Sequence, residues 1–498
     1  MRATARHLRI ASQAAFLLAF LALVWLLAEP RVRGEVTSIL LAIDPLTSVG
    51  TILGDWTVPR WAWIGLIILA LTAFAGRFFC GWVCPLGTLQ QLVSRVASPR
   101  RRLLLERNRY RRWFATKYMI LAILLVSAAL GSLHTGWLDP IALLHRTMAS
   151  AVRPFWHGGV SPGGWISFAM VATILLLSAW MPRFFCRALC PLGALLGLFA
   201  RLAPIGIRRD EAACNDCKLC LIPCQGADEP LGEHRVSECH LCLNCLYSCP
   251  ENGLGFGVRA QPATGVREPA LDVGRRRFLL TTVAAVAVTP VLRAAGGGLQ
   301  ARSADAIRPP GALGEGTFLA RCITCGACVA ACPTGALLPD LGRTGVDGLF
   351  TPVLVPRRGW CEPSCTRCGE VCPTGAIAEV TAKAKQAING PAEVTIGTAF
   401  VDRGRCLPWA MDTPCIVCEE MCPTSPKAVW LQDVEAVKRD GSKVRLQRPH
   451  LQPELCTGCG LCENRCPVGE LAAIRVSSVG ESRDPQNRLL QQSGLAVR

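Results

Sequence analysis

Cysteine dominates the chemistry that this sequence could perform. There are 28 cysteines among 498 residues, and all but four of them fall into six groups of four. Three groups keep the spacing Cys-x2-Cys-x2-Cys-x3-Cys-Pro: Cys239, Cys242, Cys245 and Cys249; Cys322, Cys325, Cys328 and Cys332; Cys456, Cys459, Cys462 and Cys466. This is the spacing with which bacterial ferredoxins bind 4Fe-4S clusters.

The other three groups vary the same pattern. One keeps the gaps but has Gln225 where proline is usual, and two lengthen the first gap. These groups are Cys214, Cys217, Cys220 and Cys224; Cys361, Cys365, Cys368 and Cys372; Cys406, Cys415, Cys418 and Cys422. Two-residue gaps let consecutive thiolates wrap one cubane, while the fourth cysteine is directed to a neighbouring cluster. The sequence therefore predicts six 4Fe-4S clusters that lie in close pairs.

Zinc and disulfides are the alternative uses of so many cysteines. Structural zinc sites draw on separated Cys-x2-Cys knuckles and do not require a fourth Cys-Pro three residues further on. A disulfide framework suits small secreted chains, whereas we expect the first eight of these cysteines to stay in the cytoplasm. The seven histidines form no facing pair inside the apolar segments, so we do not expect transmembrane haem ligation.

The remaining four cysteines belong to a duplicated motif. The sequence from Arg77 to Gly87, Arg-Phe-Phe-Cys-Gly-Trp-Val-Cys-Pro-Leu-Gly, recurs from Arg183 to Gly193 with eight of eleven positions identical. An i, i+4 spacing places the two cysteines of each copy on one helix face. The thiols could be redox-active, could be ligands of a further centre, or could be small packing residues. They are Cys80, Cys84, Cys186 and Cys190.

Four apolar segments around these motifs are long enough to span a bilayer. They are residues 10–28, 61–79, 115–133 and 164–181. Arginines concentrate between the second and third segments, at Arg95, Arg100, Arg101, Arg102, Arg107, Arg109, Arg111 and Arg112. The positive-inside rule therefore places both ends of this four-helix module in the cytoplasm of a bacterial inner membrane.

The rest of the chain is polar apart from one weakly apolar segment. Gly274-Arg275-Arg276 opens that segment and is typical of a twin-arginine export signal, here retained as an anchor; a hydrophobic helix after a chance arginine cluster is the alternative. We predict an α-helical membrane module of four spans in two repeats plus this fifth span, joined to α+β ferredoxin-like modules. The predicted domains are 1–203 (membrane), 204–270 (cytoplasmic, two clusters), 271–295 (signal anchor), 296–313 (linker) and 314–498 (periplasmic, four clusters).

A net charge of +17 raises the question of a nucleic-acid partner. Most of this excess lies in residues 1–298, where basic cytoplasmic loops of a membrane protein account for it. Bound clusters would also lower it, because each oxidised 4Fe-4S cluster with four thiolates carries a charge of about −2. We therefore do not expect nucleic acid to be a partner.

The arrangement of these motifs resembles a known pair of proteins. Residues 1 to about 260 resemble NapH, the membrane ferredoxin of periplasmic nitrate reduction, in the four spans, the doubled Cys-x3-Cys-Pro and two cluster motifs. Residues from about 274 onward resemble NapG, its exported partner, or MauM of methylamine utilisation, in the twin-arginine segment, the Arg308-Pro-Pro-Gly sequence and the four motifs. The chain thus resembles a NapH–NapG fusion, with Gln225 and the fusion itself as departures.

This resemblance implies a function in electron transfer. Membrane quinol would be oxidised as a mobile substrate, which is a possible quinol dehydrogenase activity, and electrons would pass through the clusters to a periplasmic oxidoreductase or cytochrome. The sequence itself contains no motif for a molybdopterin or haem centre that would reduce a substrate. A redox sensor or a maturation factor for a partner metalloenzyme is the alternative.

Two aspartates are candidates for the quinol site. Asp44-Pro45 and Asp139-Pro140 occupy matching outer loops of the two repeats. A quinol loses two protons with its two electrons, so its site needs proton acceptors, and ionisable residues near spanning helices are functional candidates. The alternative is that each aspartate only caps a helix that begins at the proline.

Overall fold

The helices and strands of this chain are grouped in two separate units. The computed structural model describes residues 2–27, 29, 32, 34–97, 101–157, 159–229, 234–258, 273–299, 306–437 and 441–487. Unit 1 comprises Met1–Leu26, Ser38–Met148 and Gly164–Val291, and unit 2 comprises Leu27–Thr37, Ala149–Gly163 and Leu292–Arg498. Parts of the predicted cytoplasmic module (230–233 and 259–270), signal anchor (271–272) and linker (300–305) lie outside the described residues.

Helices dominate the first 299 residues. They are α1 (Arg2–Leu26), α2 (Gly34–Ala42), α3 (Pro45–Asp55), α4 (Ala62–Ala75), α5 (Phe78–Trp82), α6 (Pro85–Val96), α7 (Arg101–Arg107), α8 (Thr116–Ala129), α9 (Pro140–His157), α10 (Pro162–Trp180), α11 (Phe184–Ala188), α12 (Pro191–Ala200), α13 (Asn244–Ser248) and α14 (Arg275–Leu299). Short 3-10 turns cover Arg112–Ala115 and Thr135–Trp137. Strands β1 (Ile205–Arg209) and β2 (Leu254–Val258) pair antiparallel, with Ile205 opposite Val258.

The order of these helices repeats. In the first repeat, α3 follows an aspartate cap, α4 is apolar, and the motif forms α5 and then α6, which starts at Pro85. In the second repeat, α9, α10, α11 and α12 follow in the same order, and α12 starts at Pro191. Proline suits the first turn of a helix because its missing N–H has no partner there. The duplicated sequence therefore folds into duplicated elements.

Three helical segments among the described residues are long and apolar enough to cross a membrane. They are Ala5–Leu26, Arg112–Ala129 and Pro162–Trp180. The second predicted span corresponds to a shorter apolar helix, Ala62–Ala75, which ends before Gly76. The predicted signal anchor coincides with α14, a 25-residue helix that contains Pro290 and is not one of the three.

A buried ionic group joins an apolar helix to the cysteine-rich segment of unit 1. The Lys117 ammonium on α8 contacts the Glu238 carboxylate, and the Tyr118 hydroxyl donates to the other oxygen of that carboxylate at 3.2 Å. Arg77 lies 3.7 Å from the same carboxylate and donates to the carbonyl of Ser237. Removal of any one of these charged groups would leave another buried charge without its partner, which is costly.

Unit 2 contains short helices and three two-stranded antiparallel sheets among its described residues. The helices are α15 (Glu315–Arg321), α16 (Ala327–Ala331), α17 (Arg367–Glu370), α18 (Ala382–Lys385), α19 (Leu407–Ala410), α20 (Val417–Glu420) and α21 (Leu461–Arg465), with a 3-10 turn at Pro453–Leu455. The paired strands are β3 (Leu337–Pro339) with β4 (Pro352–Leu354), β5 (Thr398–Val401) with β8 (Ile474–Ser477), and β6 (Val429–Val437) with β7 (Lys443–Leu451).

An ion-pair network in unit 2 joins the segment around Arg308 to the segment around Arg483. Glu315 accepts from Arg308 and from Arg483, each at 2.6 Å. Burial alone would raise the pKa of Glu315, but the two guanidinium groups lower it to about 2. Glu315 is therefore ionised at neutral pH and holds residue 483 against the beginning of the domain.

The pairing of β5 with β8 leaves no room for a side chain at Gly397. This residue has a φ of +154°, and a Cβ there would lie 1.9 Å from the carbonyl oxygen of Ser477. Gly397→Ala should lower the midpoint temperature for loss of cluster absorbance by roughly 5 °C or more. Gly390→Ala is the matched control, because Gly390 has a φ of +155° but open space around it. Equal midpoints for the two variants would contradict the steric explanation.

Candidate iron–sulfur centres

The eight cysteines between residues 214 and 249 form two sites that exchange their fourth cysteine. Cys249 of the second motif lies near Cys217 and Cys220 of the first, and Cys224 of the first motif lies near Cys242 and Cys245 of the second. Each site therefore takes three cysteines from one motif and one from the other. The two sites are Cys214, Cys217, Cys220 and Cys249, and Cys224, Cys239, Cys242 and Cys245.

Unit 2 shows the same exchange in two further pairs of sites. Cys372 and Cys422 each line a cavity with three cysteines of a different motif. In the reverse direction, Cys361 interacts with Cys332 and Cys406 interacts with Cys466. The four sites are Cys322, Cys325, Cys328 and Cys372; Cys332, Cys361, Cys365 and Cys368; Cys422, Cys456, Cys459 and Cys462; and Cys406, Cys415, Cys418 and Cys466.

The shape of these sites fits a cluster better than a single metal ion. Two of them are small cavities, each lined by four cysteines. In the part of the chain that the structure describes, no three Cys, His, Asp or Glu side chains are placed to hold one ion. Zinc needs its sulfur ligands at about 2.3 Å, whereas a cubane separates its four thiolates by an inorganic core. The four-cysteine lining of the two cavities has the number of thiolates that a 4Fe-4S cluster requires.

The surroundings of the sulfurs also suit a cluster. The backbone N–H of Ile377 donates to the Cys372 sulfur at 3.5 Å, and that of Ala399 donates to the Cys456 sulfur at 3.4 Å. Such hydrogen bonds help to set cluster potentials. Burial raises the pKa of the Cys325 thiol to about 12. Ligation must therefore displace a proton, which a bound metal does by stabilising the thiolate.

The four cysteines of the duplicated motif come together in unit 1. All four are buried. Cys84 and Cys190 each interact with both Cys80 and Cys186. The duplication thus assembles one group of thiols from two segments about a hundred residues apart.

The arginine that opens each copy of the motif reaches the other copy. Arg183 donates from Nη1 to the carbonyl oxygen of Cys80 at 2.8 Å and lies beside Gly87. Arg77 lies beside Gly193 in the same manner. The two copies therefore hold each other in place, which explains why arginine and glycine recur in both.

The predicted aspartates both cap helices. Asp44 is the N-cap of α3, where its carboxylate accepts from the Leu46 N–H and the Thr47 hydroxyl, each at 2.9 Å. Asp139 stands before α9 and accepts through Oδ1 from the N–H groups of Ile141 and Ala142 at 2.8 and 2.9 Å. The capping role that the Asp-Pro pairs suggest is present in both repeats.

The same two aspartates also touch each other. Their side chains are in contact, and each residue is 1% exposed. Asp139 Oδ2 receives no N–H or O–H donor from the protein. Two carboxylates this close cannot both be ionised in a buried site. The structure thus brings together Asp44 and Asp139, which the sequence could only place in matching loops.

Sequence reasoning does not single out Lys117 and Glu238, which hold the helical part of unit 1 to its cluster-binding part. A signal was present, since Lys117 is a lone charge at the beginning of an apolar segment and Glu238 directly precedes Cys239. An ionisable residue in such a segment requires a partner. The identity of that partner depends on how distant segments pack.

Parts of the chain match known families of 4Fe-4S binding domains. Residues 57–104, 163–209 and 368–391 match a family described as a 4Fe-4S binding domain. Residues 321–376 match a 4Fe-4S dicluster domain, and residues 449–469 match another 4Fe-4S binding domain. The first family matches both copies of the duplicated motif. No solved structure matches the chain significantly.

Several curated proteins are similar to parts of this chain. The methylamine utilization ferredoxin-type protein MauM of Methylorubrum extorquens is 35% identical over 46% of this chain and 99% of its own length. The ferredoxin-type protein NapG of Escherichia coli is 36% identical over 41% of this chain and 85% of its own length. The putative electron transport protein YccM of Escherichia coli is 28% identical over 42% of this chain and 58% of its own length.

The cysteine sites and these similarities define a ferredoxin-type iron–sulfur protein that functions in electron transfer. The prediction of 4Fe-4S binding is thereby confirmed. Within that class, the chain belongs to the family of MauM and NapG ferredoxin-type proteins.

The exchange of fourth cysteines can be tested by counting iron. Cys332→Ala and Cys365→Ala should each remove about four iron atoms, and the double variant should also lose only about four, because both residues line one site. Cys332→Ala combined with Cys325→Ala should lose about eight, because these residues line two sites. Iron and acid-labile sulfide analysis of anaerobically purified protein measures both. The reverse pattern would show that each motif keeps its own fourth cysteine.

Proposed function

We propose that this protein is a membrane-bound electron carrier that oxidises quinol and delivers the electrons to a periplasmic oxidoreductase such as a nitrate reductase. In this proposal the NapH-like residues 1 to about 260 are fused to a NapG-like or MauM-like segment that begins at about residue 274. The observation that carries the proposal is the exchange of fourth cysteines, which sets the six sites in three close pairs. When bound, each cluster supplies a one-electron redox centre, and pairing shortens the distance between neighbours.

The contacts of the aspartate pair support a role in accepting protons from quinol. Asp44 and Asp139 together need at least one proton because they are buried in contact. Loss of that proton leaves a carboxylate that can accept a proton from quinol. Among the described residues no N–H or O–H group donates to Asp139 Oδ2, so none competes with quinol for this oxygen. Helix N-termini at both residues stabilise the ionised form. A carboxyl pair of this kind can therefore exchange protons without moving the helices.

Substitution of the aspartates tests this role. Asp44→Asn and Asp139→Asn each keep a capping oxygen but remove the carboxylate, so quinol-dependent reduction of the clusters should fall by orders of magnitude. Reduction by dithionite and iron content should stay unchanged. Asp55→Asn, at the end of α3, is the matched control and should behave as the unmodified protein. Stopped-flow spectroscopy measures the rates.

Two results would contradict parts of this proposal. Full quinol-dependent rates in both Asp44→Asn and Asp139→Asn would leave the aspartates with a capping role alone. Slow reduction of the unmodified protein by every quinol tested would favour a redox sensor or a maturation factor over a carrier.

The proposed topology places the two-cluster module in the cytoplasm and the C-terminal domain in the periplasm. It rests on the basic loop between the second and third apolar segments and on Arg275-Arg276 before α14. Reporter fusions at position 230 should indicate the cytoplasm, and fusions at position 400 the periplasm. Changing Arg275 and Arg276 to lysine should abolish the periplasmic signal, whereas Arg277→Lys is the control and should preserve it. A cytoplasmic signal at both positions would refute export.

A further inference from the structure

The duplicated motif assembles four cysteines that the six ferredoxin-type sites do not use. They are between 3% and 8% exposed, and thiols from each repeat interact with thiols from the other. Two ligands from each of two repeats make a set of four, which is the number that a 4Fe-4S cluster requires. The four are Cys80, Cys84, Cys186 and Cys190.

Hydrogen-bond donors point at these sulfurs. The backbone N–H of Gly193, in the first turn of α12, donates to the Cys190 sulfur at 3.2 Å. The side-chain amide of Gln90, on α6, donates to the Cys186 sulfur at 3.4 Å. Donors of this kind stabilise a thiolate more than a thiol. Backbone amides contact sulfurs in the same way in two of the ferredoxin-type sites.

The charged side chains beside the four thiols leave an excess of positive charge. Arg77, Arg183 and Lys117 are each no more than 1% exposed, and Glu238 is the carboxylate that contacts Arg77 and Lys117. Three cations and one carboxylate leave about two positive charges in the interior, which anions at the motif cysteines and at the neighbouring ferredoxin-type site would offset. A 4Fe-4S core with four thiolates carries a charge of about −2 and would balance them.

The guanidinium groups also have unused donors. Nε and Nη2 of Arg77 and Nε of Arg183 are buried and have no hydrogen-bond partner among the residues that the structure describes. The Arg77 Nη2 lies beside Gly193, in the first turn of α12, directly after Cys190. Buried donors without a partner are rare in proteins and indicate a missing anionic or polar group. The position of these donors points to an occupant between the two motif copies.

We propose that the four cysteines of the duplicated motif bind a seventh 4Fe-4S cluster in unit 1. The first copy lies directly on the neighbouring ferredoxin-type site, because a Cβ on Gly81 would lie 2.3 Å from the His240 carbonyl oxygen and 3.8 Å from the Cys242 nitrogen. Trp82 also donates from its indole nitrogen to the Leu241 carbonyl oxygen at 3.0 Å. The seventh centre would exchange one electron at a time with the cluster at that site. It does not depend on quinol being the donor.

Native mass spectrometry of the anaerobically purified full chain counts clusters as whole numbers. The unmodified protein should carry seven. The double variant Cys80→Ala, Cys186→Ala should carry six. Ser178→Ala is the control, because Ser178 bonds Gln90 at 3.0 Å without touching a sulfur in the structure, and it should retain seven.

Two outcomes of the cluster count would overturn the proposal. Six clusters in the unmodified protein, with a disulfide among the four cysteines after oxidation, would identify a redox-active thiol pair. Six clusters with four thiols that resist oxidation would identify packing residues. Failure of quinol oxidation would leave the cluster count unchanged, so the two proposals fail separately.

A milder variant covers the case in which the double variant does not fold. Gln90→Leu removes the donor to the Cys186 sulfur but keeps all ligands, so it should retain seven clusters and lower the reduction potential of one of them. Spectroelectrochemistry measures the potentials. Seven clusters with all potentials unchanged would contradict the assignment of a cluster to Cys186.

Discussion

The convergence of cysteines from two motifs on each ferredoxin-type site is the constraint that both units share. Each ferredoxin-type site takes three cysteines from one motif and the fourth from another, so the motifs of a pair cannot form separately. The segments around them have little else to stabilise them, since the helices of unit 2 are short and its sheets have two strands each. Bound metal therefore contributes folding free energy as well as redox chemistry.

Buried charge imposes a second constraint in unit 1. Several of its largest fully buried side chains are cationic, among them Arg77, Arg183, Arg187 and Lys117. Arg187 donates to the carbonyl oxygen of Cys224 at 3.0 Å, and Lys117 contacts Glu238. Interior cations persist only where anions or aligned carbonyl groups offset their lost hydration. Anionic clusters at the cysteine sites would meet this requirement, which explains why an apolar module retains so many arginines.

The internal duplication gives unit 1 several contacts in which the same residue type comes from each repeat. Each of three features comes from both repeats: the arginine that crosses to the other copy, the cysteine pair, and the capping aspartate. A group contributed once by each repeat can meet its equivalent from the other repeat, as Asp44 and Asp139 do. Contacts of this kind are self-complementary because the same residue type comes from both sides. A duplicated sequence can therefore build a paired site from a single local motif.

The sequence by itself determined what the covalent chain controls locally. The gaps between cysteines fix which three thiolates wrap one cluster, and the Asp-Pro pairs fix where α3 and α9 begin, because both depend on neighbours within a few residues. The duplication of the motif is also visible in the sequence alone. Only the tertiary structure decided which motif supplies each fourth cysteine, that the Asp44 and Asp139 carboxyls touch, and that Glu238 is the partner of Lys117. These contacts join residues far apart in the chain, and their distances depend on how whole helices pack, which no local spacing specifies.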